Sequence, residues 1–242
     1  MVDTSHSRFS LVNCVASLLV FPAFVVGLTS CSSQAPLPEP HTLDTSVPKY
    51  KNPFEPSTYA HFVAQPDYKK SYKVYRDEAL IQRQPKKSQS IYVCLDDQRG
   101  QYVVDGLVAM DFPLSSGVKA FPTKIGDYKV IQKKEDHASN LYGKMYDAEG
   151  KCIDTDAEIT DPVPEGGKFV GSPMPYWQRL TYAGLGLHVG KVKRKPVSHG
   201  CIRLTRDVAK TLYEQTTMGT RVKIRDEFLP VSEKQKRPSR KK

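Results

Sequence analysis

Between His188 and Cys201 the chain places two of its six histidines and one of its five cysteines. They sit in the runs Gly186-Leu187-His188-Val189-Gly190 and Ser198-His199-Gly200-Cys201-Ile202-Arg203-Leu204. A thiol is a weak nucleophile until it loses its proton. A nearby imidazole can take that proton and orient the thiolate, which is the logic of acyl transfer through a cysteine. The residue types therefore assign Cys201 as nucleophile and His188 as its base. Gly200 has no side chain, so a substrate carbonyl can come close, and the N–H groups around Gly200 and Cys201 can hold the developing oxyanion. Ser198 suits a hydrogen bond within the turn better than attack on substrate. His188, His199 and Cys201 could also be zinc ligands. The His-x-Cys pair fits common zinc spacings poorly, however, and no Asp or Glu lies between Ala183 and Val197. The site is read as free of metal and cofactor.

The elements that must position these residues are mostly strands. Ile91, Val93 and Leu95 alternate with Tyr92 and Cys94, a period of two. Asp96-Asp97-Gln98-Arg99-Gly100 is turn chemistry. Gln101 to Val104 and Leu107 to Phe112 continue as strands about Asp105-Gly106, and Gly126 to Ile131 is a further strand. From Gln132 to Gly167 the chain turns polar and is expected to be a long, loop-rich insertion of the kind that covers a cleft. Tyr176 and Trp177 then form either a groove wall or part of the core. Past the cysteine, Thr205 caps a helix with Asp207 in its first turn and Val208, Ala209, Leu212 and Tyr213 on one face. Arg221 to Arg225 alternates as a last strand.

The order of His188, a short insert and Ser198-His199-Gly200-Cys201-Ile202-Arg203-Leu204 resembles the signature of the L,D-transpeptidase catalytic domain (YkuD-like) family. Weaker likeness runs from Ser90 to about Arg225, through Ile91 to Gln98, Phe112 to Gly117 and Met174 to Trp177. Pro122-Thr123-Lys124-Ile125-Gly126 matches the family's turn only in part, a structural rather than a catalytic difference. The resemblance implies a mainly β fold, a β-sandwich catalytic domain with one or two helices, the second following Cys201. It implies a cysteine acyl-enzyme on peptidoglycan tetrapeptide stems, attacking between residues three and four and releasing D-alanine. A second stem, a lipoprotein amine or water could then accept the acyl group, water making the site an L,D-carboxypeptidase. The rival from another class is a non-catalytic cell-wall-binding lipoprotein. The resemblance also implies that a backbone carbonyl near Val189 or Gly190 orients His188, and that His199 orients the loop. Arg203 either binds a substrate carboxylate or pairs with Asp207.

The rest of the chain reads as delivery. Residues 1–30 have the shape of an export signal, with an apolar run from Leu11 to Gly27. Leu28-Thr29-Ser30-Cys31 resembles a bacterial lipobox, so Cys31 is expected to carry lipid and hold a monomer on the membrane, facing the periplasm or cell wall. Residues 31–86 are expected to be a tether. Within it Tyr68, Tyr72 and Tyr75 suit one helical face or a tyrosine-rich linker. The catalytic domain is expected over 88–226 and a basic tail over 227–242. The formal net charge of +10 draws a protein to anionic polymers, and no zinc finger or basic helical stripe points to nucleic acid. The basic insert Lys191, Lys193, Arg194 and Lys195 is a solvated edge that would also attract an acidic glycopeptide. Cys94 and Cys152 are either a disulfide or two buried thiols.

Overall fold

The computed structural model describes residues 51–84, 86 and 88–227. The leader, Cys31 and the tail beyond Glu227 lie outside the described residues. In chain order the elements are α1 (Tyr59–Val63), a 3-10 turn (Tyr68–Lys70), β1 (Tyr75–Arg76), α2 (Glu78–Ile81), β2 (Gln89–Cys94), β3 (Arg99–Val104) and β4 (Leu107–Pro113). There follow β5 (Gly126–Lys129), β6 (Gln132–Lys134), β7 (Ala138–Tyr146), β8 (Cys152–Glu158), β9 (Lys168–Pro173) and β10 (Trp177–Arg179). The last are β11 (Gly186–Val189), β12 (Ile202–Leu204), α3 (Arg206–Gln215) and β13 (Arg221–Arg225).

The strands form three sheets, ordered β1-β4-β3-β2-β13-β5, β12-β11-β10-β6 and β8-β7-β9. The alternation predicted for β2 to β4 and for β13 is present. Ile91, Val93, Tyr102, Met110, Val222 and Ile224 of the first sheet meet Leu187, Ile202 and Leu204 of the second, with Val208, Ala209 and Leu212 of α3 in the same core. This is the expected mainly β sandwich, with the long helix directly after the cysteine. Thr205 stands at the helix N-cap without a side-chain hydrogen bond to the helix.

Three expectations are corrected. Residues 132–167 are not loop-rich: they contain β6, β7 and β8, and β7 is the central strand of the third sheet. Their polarity misled because β8 is exposed along nearly its whole length and buries only Ala157. Arg99 does not belong to the turn but opens β3, fully buried. The described part of the expected tether is folded. β1 pairs with β4, Tyr75 opposite Asp111, and Tyr68, Tyr72 and Tyr75 share no helix, Tyr72 being exposed.

A buried polar cluster fastens this segment. Arg99 and Asp111 form an ion pair at 2.7 Å with both side chains fully buried. The hydroxyls of Tyr59 and Tyr68 each donate to Asp111 Oδ2 at 2.7 Å. Arg99 donates to the carbonyls of Ser71 and Lys73 at 2.9 and 3.1 Å. Burial, reinforced by the Asp111 charge, holds both phenols well above their ordinary pKa, so they stay donors.

Candidate active site

The β11 register decides what faces the cleft. Leu187 lies opposite Ile202 and Gln178, and His188 opposite Arg203; Gly186 lies opposite Arg179. Because side chains alternate along a strand, Gln178, Leu187, Ile202 and Leu204 turn to one face, where all four are fully buried. Trp177, Arg179, Gly186, His188 and Arg203 share the other. Cys201 immediately precedes β12 and continues its register to lie beside Gly186. On strand spacings alone the Cα atoms of Cys201 and His188 are roughly 8 Å apart, a gap that thiol and imidazole side chains together can span. Both residues line one cleft of about 670 Å³, with Ser198, His199, Gly200 and Arg203.

At rest the pair is neutral. The Cys201 thiol donates to the Gly184 carbonyl at 3.2 Å, and burial raises its pKa. The His188 ring, 6% exposed, has Nδ1 2.8 Å from the Val189 carbonyl. That contact requires the proton on Nδ1 and leaves Nε2 as the base. The orienting group is thus a backbone carbonyl, at Val189, as the resemblance implied. Burial lowers the imidazole pKa to about 4, with Arg203 and His137 adding to the effect.

The loop before Cys201 is held from several sides. Ser198 Oγ donates to the Cys201 carbonyl at 2.5 Å, the turn role expected for it. Val118 N–H donates to the Ser198 carbonyl, and Ser115 exchanges backbone hydrogen bonds with Arg203. Gly200 has φ +105°, a conformation that favours glycine. A Cβ on Gly117 would come within 2.1 Å of the Phe121 carbonyl and 2.7 Å of Gly200 Cα, so that approach also requires glycine. His199 stacks on Tyr142 at 4.1 Å and packs against Phe121 at 4.7 Å. Its ring thereby joins the cysteine loop to β7.

Thr123 was not singled out for the site in the sequence, yet its Oγ1 accepts from Gly117 N–H at 2.8 Å and donates to the Gly200 carbonyl at 2.6 Å. One hydroxyl thus ties the segment after β4 to the loop that precedes Cys201. Thr123→Val leaves both backbone groups unpaired and is expected to lower kcat/KM roughly 10-fold, while Thr123→Ser keeps most of it. Initial rates of donor consumption test this.

The aromatic candidates divide. Trp177 is 1% exposed and forms the buried backing of the floor, packed on His137 at 5.0 Å and His188 at 6.0 Å. Tyr176 has φ +55° and packs against Tyr213 of α3 at 5.6 Å. It does not line the cleft, which corrects its expected substrate role. Arg203 lines the cleft, and Asp207 pairs instead with Arg76 at 3.3 Å. Lys191 reaches the cleft, whereas Arg194 folds back to donate to the Asp97 carbonyl. His137 also lines the cleft. Cys94 is buried and Cys152 half-buried, both as free thiols. No group of three or more metal-ligating side chains occurs among the described residues.

A profile described as YkuD, the L,D-transpeptidase catalytic domain, matches residues 88–224. Among solved structures, an L,D-transpeptidase from Mycobacterium smegmatis is 22% identical over 57% of this chain and 58% of its own, with a TM-score of 0.44. An L,D-transpeptidase (Yku) from Stackebrandtia nassauensis is 23% identical over 59% of this chain and 57% of its own, TM-score 0.41. L,D-transpeptidase 1 from Mycobacterium tuberculosis is 22% identical over 57% and 61%, TM-score 0.41. This chain spans less than two thirds of the length of each. A search of the curated proteins finds no match.

Proposed function

Because the chain belongs to the L,D-transpeptidase catalytic domain (YkuD) family, whose profile covers more than half of it, we propose that it is an acyltransferase working through Cys201 on peptidoglycan tetrapeptide stems. The observation that carries this is the common strand face that presents Cys201, His188 and Arg203 to one open cleft. His188 Nε2 takes the thiol proton as sulfur attacks the carbonyl of stem residue three. The C–N bond to residue four breaks, the same proton passes to the departing amine, and D-alanine leaves. An acceptor amine then attacks the thioester. His188 takes its proton and returns it to sulfur as the C–S bond breaks. The N–H groups at Gly200 and Cys201 hold the oxyanion in both steps, and Ser198 and His199 hold their loop. We place the protein in the cell envelope, anchored as a monomer through lipid on Cys31, which the Cys31→Ala variant tests by loss of fatty-acid labelling.

Incubation with a disaccharide-tetrapeptide and weighing of the products tests the reaction. A cross-linked dimer supports transfer to a stem, tripeptide alone points to water as acceptor, and unchanged donor overturns the reading.

The neutral pair has a pH signature. His188 acts as a base only when unprotonated, so kcat/KM is expected to fall with decreasing pH through about 4, well below the ordinary imidazole value. Cys201 is a thiol at neutral pH, so iodoacetamide alkylation without donor is expected to stay slow there and to rise only in the alkaline range. Stability follows the same direction. The unfolded imidazole, with an ordinary value of 6.5, binds its proton before the folded one. Stability is therefore lost as pH falls from 6.5 to about 4, by about 3 kcal/mol in all. Urea midpoints at pH 7 and pH 4.5, compared between wild type and His188→Gln, measure it.

A further inference from the structure

The cleft floor carries a second arginine that the sequence did not single out. Arg179 lies on β10 opposite Gly186, which itself lies beside Cys201. Arg203 lies two positions beyond Cys201 on the same face. The cysteine thus sits at the corner between them, with Arg203 roughly 7 Å along its own strand and Arg179 roughly 10 Å across two strand spacings. Arg179 Nε donates to Gln132 Oε1 at 2.8 Å, and its guanidinium rests 5.4 Å from the Trp177 ring centroid. Those contacts fix the plane of the fork and leave its two Nη groups without a hydrogen-bond partner among the described residues. Neither Arg179 nor Arg203 makes an ion pair among the described residues, and both line the cleft. Its single acidic lining residue, Asp156, lies on β8 of another sheet and pairs with neither. Two guanidiniums that face one cleft without an acidic partner favour anionic ligands, and a fixed guanidinium fork matches a carboxylate.

We propose that Arg179 is a second carboxylate subsite, so that the preferred acyl donor carries one ionised carboxylate on each side of the scissile bond. Arg203 holds one and Arg179 the other. This rests on the acyl-transfer reading above and deepens it. The donor class is a stem whose third residue bears its own side-chain carboxylate and whose departing residue ends in a free carboxylate. Stems whose third residue is amidated, or is lysine-like, are poor donors.

The test uses the full chain and three synthetic tetrapeptide stems: the dicarboxylate, and the two derivatives with one of those carboxylates amidated. Wild type is expected to favour the dicarboxylate by roughly 10- to 100-fold over either amide, the scale of a charge-assisted hydrogen bond. Arg179→Gln is expected to erase the preference at one end and Arg203→Gln at the other, with Arg179→Lys recovering part of it. Thermal unfolding of each variant verifies folding. An Arg179→Gln variant that slows all three donors by the same factor overturns the subsite, as does a wild type indifferent to amidation. A wild type that consumes none of the three donors sinks the acyl-transfer reading itself, an outcome distinct from failure of the subsite.

Discussion

Cys201→Ala is expected to form no covalent adduct with a carbapenem and to lose donor cleavage by roughly 10⁴-fold or more, the range seen when a nucleophile is removed. Intact-protein mass spectrometry reads the first result and donor consumption the second. The loss would be chemical rather than structural. The thiol donates to the Gly184 carbonyl and its sulfur also meets the Gly186 N–H, and the backbone around it is held by Ser198, Thr123 and Ser115. Alanine gives up the thiol's own hydrogen bonding but leaves the contacts of Ser198, Thr123 and Ser115 in place, so thermal unfolding should move little. A variant that still cleaves at the wild-type rate would remove Cys201 from the reaction altogether.

Asp111→Ala is expected to have the largest effect on stability, about 3–5 kcal/mol, the cost of breaking a buried ion pair by removing one partner. It leaves the Arg99 guanidinium charged and enclosed, and it strips the acceptor from the hydroxyls of Tyr59 and Tyr68. Tyr68→Phe removes a donor to Asp111 and is expected to cost about 1 kcal/mol, whereas Tyr59→Phe also takes the acceptor from Gln101 Nε2 and is expected to cost about 2 kcal/mol. Urea denaturation followed by tyrosine fluorescence and far-UV circular dichroism would measure all three. A loss under 1 kcal/mol for Asp111→Ala would mean that the cluster is hydrated and contributes little. Because the tyrosines lie on the segment before the catalytic domain, limited proteolysis of the variant should cut first between residues 55 and 75.

The sequence made the strands around the core legible because their apolar residues alternate, as in Ile91 and Val93 or Val222 and Ile224. The helix after the cysteine was legible because Val208, Ala209 and Leu212 fall on one face. The third sheet was not. A strand such as β8 buries one residue, and a pattern cannot be read from a single apolar contact. Tyr68 was ambiguous because its partner, Asp111, lies 43 positions away. At the site, Cys201 and His188 stood out by residue type. Arg179 and Thr123 did not, since strand pairing and a loop crossing bring them in, and neither leaves a mark in local spacing. Tyr176 was drawn in by its neighbour Trp177, and its left-handed backbone sends its ring to the helix instead.

The place of β13 governs when this molecule can fold. It lies between β2, its parallel neighbour, and β5, its antiparallel one, so the central sheet stays split until residues 221–225 are available. Val222 and Ile224 are also fully buried, so the core cannot finish closing before then. Pairings of such long range form slowly. A chain leaving the ribosome from its N-terminus therefore remains open until almost all of the domain has been made. Removal of residues 221–225 is therefore expected to leave the whole domain unfolded rather than merely one strand short.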